Sequence, residues 1–273
     1  MPFTERLREV QKKQNSLLCI GLDVDTSKIP VHLQSMENSV LEFNRQIIEA
    51  THDLVCAYKP NLAFYEAMGD RGQTILRETL KLIPTSVITI GDGKRGDIGN
   101  TAERYASSLF NDFCFDAVTV NPYMGFDSVQ PFLINVEKGV FILALTSNAG
   151  SKDFQRLKIG SKPLYEKVVR TVNTWNTNQN IGLVVGATHP KELQSIRKIV
   201  PGMPILIPGI GKQGGDLKSA IRSGCDKHGQ LAVINASRSI LYASSGKDFA
   251  AAARSEAKRM VEEMRTVAGE LNT

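Results

Sequence analysis

Residues 87–101, VITIGDGKRGDIGNT, begin as five residues of a buried strand and then carry three charges of alternating sign, Asp92, Lys94 and Asp97. Charges also follow other apolar runs: Asp23 ends LLCIGLDVD but for two residues, and Lys59 ends VCAYK. Taken singly, each has a plain structural explanation. Asp23 fits a helix cap, Lys59 a snorkelling stem ahead of Pro60, and Asp92 with Lys94 an ordinary ion pair. Taken together, two lysines and three aspartates at one mouth are destabilising unless paired, and no structural need asks for so many. Such a cluster in a cleft reads as a reaction site. A second group says what is bound. Gly209, Gly211, Gly214 and Gly215 crowd residues 208–216, PGIGKQGGD, where backbone N–H groups can approach an anion and the next helix begins. Arg238, within NASRS at 235–239, can fork onto phosphate oxygens. The expectation is a phosphorylated substrate facing the charge cluster.

For these residues to meet, the chain must bring several strand ends to one place. Apolar runs rich in Val and Ile recur at 17–24, 55–59, 87–92, 117–123, 139–146, 181–188, 204–211 and 231–237. Each is nearly continuous in hydrophobicity, as a strand buried on both faces is. Helical patterns lie between them, at 39–53, 72–83, 100–112, 128–136, 163–176, 190–200 and 214–224. In the first of these Val40, Phe43, Ile47 and Thr51 recur at three- and four-residue steps. The tail, 248–271, reads as one long helix or two. Eight strand–helix alternations over about 250 residues are the dimensions of a (β/α)8 TIM barrel, which carries its chemistry at the C-terminal ends of the strands and its phosphate site after strands seven and eight. A doubly wound open sheet is the alternative, although no GxGxxG follows the first strand. No linker or composition break interrupts the chain, so a single domain over residues 1–273 is expected. The longest irregular piece, 147–162, begins with Ser147 and Asn148 after strand five and reads as a lid or binding loop.

Composition narrows the classes. Of 273 residues, 42% are hydrophobic and 22% charged, an ordinary globular balance with no apolar run of spanning length. The N-terminus is polar, without an apolar signal segment, and points to the cytoplasm. The net charge of +5 comes from Lys and Arg spread along the chain without basic runs or aromatic interleaving, which suits an anionic small substrate and not nucleic acid. Cys19, Cys56, Cys114 and Cys225 form no CxxC pair and read as reduced core or near-core thiols; four scattered histidines offer no metal spacing.

DGKRGDIGNT matches D-x-K-x-x-D-I-x-x-T, the signature of the orotidine 5′-phosphate decarboxylase family. PGIGKQGGD resembles that family's phosphate loop, NASRSI its strand-eight motif, and LDVD and YKPN follow the same order, so the resemblance spans nearly the whole chain. It implies decarboxylation of orotidine 5′-monophosphate to UMP, the last step of de novo pyrimidine synthesis, without metal or cofactor. It implies a charged tetrad of Lys59, Asp92, Lys94 and Asp97, with Lys94 as proton donor to C6. It gives Asp23 and Lys59 to ribose hydroxyls, Thr101 to the ribose, Ser147 to the pyrimidine edge, and Gln213 and Arg238 to the phosphate. The long segment after strand five resembles the longer bacterial branch. Loss of CO2 from an sp² ring carbon leaves a localised carbanion; an ammonium beside it stabilises the charge and then supplies the proton. Asp97 and Thr101 lie past the turn and in the family reach the neighbouring subunit's site, which implies a two-fold homodimer with shared sites.

Two rivals are weighed against this. The 3-keto-gulonate 6-phosphate decarboxylases and hexulose-phosphate synthases share the barrel and the D-x-K-x-x-D motif but use magnesium, held by an acidic residue where this chain has Lys59. A non-catalytic phosphate-binding protein has no use for Lys94 between two acids.

Overall fold

The computed structural model describes residues 1–210 and 215–270. The eight apolar runs become the strands of a closed, all-parallel barrel: β1 (Leu18–Gly21), β2 (Ala57–Lys59), β3 (Ile88–Arg95), β4 (Ala117–Val120), β5 (Gly139–Leu145), β6 (Ile181–Val185), β7 (Ile205–Pro208) and β8 (Ala232–Ala236). They follow one another around the barrel in chain order, and β1 pairs with both β2 and β8. Closure leaves no sheet edge and decides for the (β/α)8 barrel over the open sheet.

The outer helices bury the stripes their spacing predicts. Ser39–Thr51 turns Val40, Phe43, Ile47 and Thr51 inward. Boundaries differ in places. The helix expected at 128–136 runs Phe126–Leu133, and the one at 100–112 becomes an α-helix, Gly99–Ser107, ending in a π-turn, Ser108–Asp112. The tail is one helix, Phe249–Glu270. Residues 147–162 are not wholly irregular: they hold a 3-10 turn, Ala149–Lys152, and a two-residue strand, Lys158–Ile159, that pairs antiparallel with Lys162–Pro163 at the segment's end. The polar N-terminus, read only for its lack of a signal segment, forms helix α1 (Phe3–Gln14). Cys19, Cys56 and Cys225 are buried, whereas Cys114 is exposed, with φ 60°.

Strand parity builds both the core and the site. Successive side chains alternate between the barrel interior and the helix layer. Cys19, Ala57, Ile88, Ile90, Ala117 and Val233 belong to the interior cluster, with Phe3 and Leu7 of α1 beneath them. Two-residue steps from these positions reach Gly21 on β1 and Asp23 just beyond it, Lys59 on β2, Asp92 and Lys94 on β3, Thr119 on β4, and Asn235 on β8 with Ser237 just beyond it. The inward face is therefore apolar below and charged or polar at its C-terminal end.

Candidate active site

A cavity of about 640 Å³ opens at that end, and Asp23, Lys59, Asp92, Lys94, Ser147 and Arg238 all line it. Its floor is apolar, from Leu143, Val184 and Leu206. β3 runs further than the sequence suggests. The strand was expected to end at Asp92, with Lys94 beyond it, but pairing with β4 resumes at Arg95, so both residues lie within the strand. The cause is a bulge: β3 advances from Gly91 to Arg95 while β4 advances from Val118 to Val120.

Asp92 is the centre of the charge cluster. Its Oδ2 accepts from Lys59 Nζ at 2.7 Å, and its Oδ1 accepts from Lys94 Nζ at 2.7 Å and from Thr119 Oγ1 at 2.8 Å. Lys59 Nζ also lies 4.0 Å from Asp23 Oδ1. Burial opposes ionisation of Asp92, yet Lys59 and Lys94 outweigh it and hold the carboxyl well below the usual carboxylate range. Burial likewise opposes the Lys59 charge, and Asp23 and Asp92 overcome it, raising the ammonium above the ordinary lysine value. The two lysines differ in access: the Lys59 side chain is 3% exposed and that of Lys94 44%. Lys59 is the more buried counter-charge in the cavity wall, and Lys94 is the more exposed ammonium.

Two glycines make room for neighbours. A side chain at Gly21 would strike Ser237 Oγ, which donates to Asp23 Oδ2 at 2.9 Å and aims that carboxylate. One at Gly186 would strike Ser147 Oγ, which is buried and without a hydrogen-bond partner among the described residues. Asp23 Oδ1 is likewise without one. Buried polar atoms without a partner call for an explanation, and both belong to residues that line the cavity. Arg238 opens the short helix Arg238–Leu241 after β8 and forms no ion pair with a carboxylate among the described residues. Pro208, Gly209 and Ile210 bring the loop after β7 to the same side of the cavity.

The remaining sequence candidates fall elsewhere. Asp97 and Thr101 do not line the cavity: Asp97 is half-buried and its Oδ1 accepts from Ile98 N–H at 2.8 Å, and Thr101 is exposed on the helix Gly99–Ser107. Gln213, with Gly211 and Gly214, lies outside the described residues. Thr119 and Asn61 line the cavity and were not singled out from sequence. For Thr119 a signal existed: it stands two residues after the inward Ala117, a polar side chain at an interior parity position.

The model of the orotidine 5′-phosphate decarboxylase / HUMPS family matches residues 16–254. A protein of Dehalococcoides mccartyi named orotidine 5′-phosphate decarboxylase is 53% identical over 264 residues, covering 95% of this chain and 96% of that protein. The structure of Leishmania donovani OMP decarboxylase superposes with a TM-score of 0.83 at 38% identity, over 97% of this chain and 99% of that one. That of Leishmania donovani UMP synthase superposes at 0.88 and 40% identity, over 98% of this chain but only 57% of the longer protein.

Proposed function

The chain belongs to the orotidine 5′-phosphate decarboxylase / HUMPS family and decarboxylates orotidine 5′-monophosphate to UMP in pyrimidine nucleotide synthesis, and from that premise we propose that Lys94 is the proton donor. The observation that carries the proposal is the arrangement around Asp92, which binds an ammonium at each oxygen: both lysines line the cavity, but the Lys59 side chain is 3% exposed and that of Lys94 44%.

In this reading the C6–carboxylate bond breaks and CO2 leaves with the electron pair remaining on C6. Lys94 stabilises that charge and transfers an Nζ proton to C6, becoming a neutral amine that regains a proton from solvent through its exposed side. Asp92, ionised throughout, holds Lys94 as an ammonium and aims it. Asp23 and Lys59 take the ribose hydroxyls, Ser147 the pyrimidine edge, and Arg238 with Gln213 the phosphate. Asp97 and Thr101 serve the partner's site in a homodimer. We also propose one catalytic domain, a cytoplasmic location in keeping with four unpaired cysteines, and no metal requirement. The last follows from Lys59, whose ammonium stands at the end of β2 and repels a divalent cation.

UMP formation from orotidine 5′-monophosphate tests the core of this. The chelator-treated enzyme should keep its full rate, and Lys94→Ala should lose at least about a thousandfold in kcat. Activity that disappears with chelator and returns with magnesium, or a Lys94→Ala variant near the wild-type rate, overturns the proposal.

A further inference from the structure

β3 and β4 run out of step at the place where the charge cluster is built. Between the pairs Gly91↔Val118 and Arg95↔Val120, β3 takes four steps and β4 two. Lys94 sits in the excess, with φ 47°, a left-handed conformation that residues with a side chain rarely adopt. Its backbone N–H has no ladder partner and donates instead to Thr119 Oγ1 at 2.9 Å. The same hydroxyl donates its one proton to Asp92 Oδ1 at 2.8 Å. Thr119 is 1% exposed, so water cannot readily take over either bond.

We infer that Thr119 is a positioning residue for the proton transfer: one hydroxyl fixes the Lys94 backbone and the Asp92 carboxylate relative to each other. The inference rests on the reading of Lys94 as proton donor and Asp92 as its counter-ion. Lysine has a long, flexible stem, and a carboxylate that holds its Nζ does not alone determine where that nitrogen points. Here the stem is fixed at its root by the hydrogen bond from the Lys94 backbone N–H to Thr119 Oγ1 and at its tip by Asp92, and Thr119 ties both ends to β4. Without the hydroxyl, the amide in the bulge and one lone pair of Asp92 both lose a buried partner. The bulge can then relax and carry Lys94 away from C6.

Three variants separate this role from mere packing. Thr119→Val keeps the branched shape and removes the hydroxyl; kcat should fall about ten- to a hundredfold while KM stays within about twofold, since phosphate and ribose contacts lie elsewhere. Thr119→Ser keeps the hydroxyl and loses the methyl, and should stay within about threefold of wild type. Thr119→Cys, nearly isosteric with serine but a weak donor, should fall with valine. A valine variant within about twofold of the wild-type kcat, or serine and cysteine variants losing equal amounts, overturns the inference. Should valine fail to fold, the serine–cysteine comparison decides alone. Lys94→Ala measured beside them separates the two claims: an active Lys94→Ala sinks the proton-donor reading, whereas an inactive Lys94→Ala with an active Thr119→Val sinks only the role of Thr119.

Discussion

Asp92 holds together three donors that cannot all be satisfied without it. Replacing it by asparagine leaves Lys59 buried, with no carboxylate nearer than Asp23 at 4.0 Å. Loss of the nearer, hydrogen-bonded carboxylate from this buried pair destabilises by about 3 kcal/mol, so Asp92→Asn should unfold at lower urea concentration as well as lose activity. The pH dependence of that gap follows from the shifts. The folded carboxyl of Asp92 is depressed, so its contribution is present above the ordinary carboxylate value and is lost only as pH falls through the lowered one. The folded ammonium of Lys59 is raised, so its contribution is present below the ordinary lysine value and is lost only as pH rises through the raised one. The difference between wild type and variant should therefore stay flat from about pH 5 to about pH 9. Urea titrations at both ends and the middle check it, and a gap that halves across the range contradicts the triad. The charges of this site were legible because buried Lys and Asp at strand ends have so few structural reasons to exist. For Thr119 the sequence signals only an inward polar position; its contact with the Lys94 backbone depends on a two-residue bulge that no pattern of residue types announces.

Among the elements, α1 shows where hydrophobic patterning runs out. Its buried face consists of Phe3, Thr4, Leu7 and Gln11, only two of them apolar, and of its other residues only Val10 is apolar. Few apolar residues mark that face. Yet α1 closes the N-terminal end of the barrel. The Phe3 ring stands edge-on to Phe141 at 6.0 Å and occupies the space that a side chain at Gly139 would need. Gln11 satisfies the backbone there, donating to the Ala232 carbonyl at 2.8 Å and accepting from Leu231 N–H at 2.9 Å. Arg6 and Arg8 pair with Asp116 and Asp226 on the barrel rim. These partners lie more than a hundred residues away in sequence, which is why local reading assigns the segment nothing. Phe3→Ala should lower stability by about 3–5 kcal/mol through the lost ring and the cavity left behind. The interior core separates α1 from the open end, so KM and kcat at a temperature where the variant is folded should match wild type. Calorimetry and steady-state kinetics on one preparation test both halves; unaltered stability, or a KM several times higher, removes α1 from its assigned place as a plug.

At the scale of the whole molecule, one chain places Asp23, Lys59, Asp92 and Lys94 around a cavity and leaves Asp97 outside it. Residues 88, 90, 92 and 94 reach the interior, the last two within the bulge, whereas Asp97 lies beyond the strand, half-buried beside Ile98, which is 55% exposed. The loop after β4 runs alongside: Asn121 N–H donates to the Arg95 carbonyl, and Tyr123 and Met124 are 82% and 44% exposed. Large apolar side chains beside a charged residue of the family signature suit a two-fold interface in which each chain lends Asp97 to the other. The eight-fold alternation that reveals the barrel contains no signal for this, because an interface is a relation between two surfaces. Subunit exchange makes the proposal measurable. Lys94→Ala and Asp97→Ala should each be nearly inactive alone. In a heterodimer of the two, one site carries both lesions and the other carries neither. Random exchange of equal amounts makes half of the dimers mixed, each with one intact site, so about a quarter of the wild-type activity should return. Exchange itself is followed by mass spectrometry on differently tagged chains. If mixed dimers form and no activity returns, Asp97 serves its own chain, and the two sites of the dimer are independent.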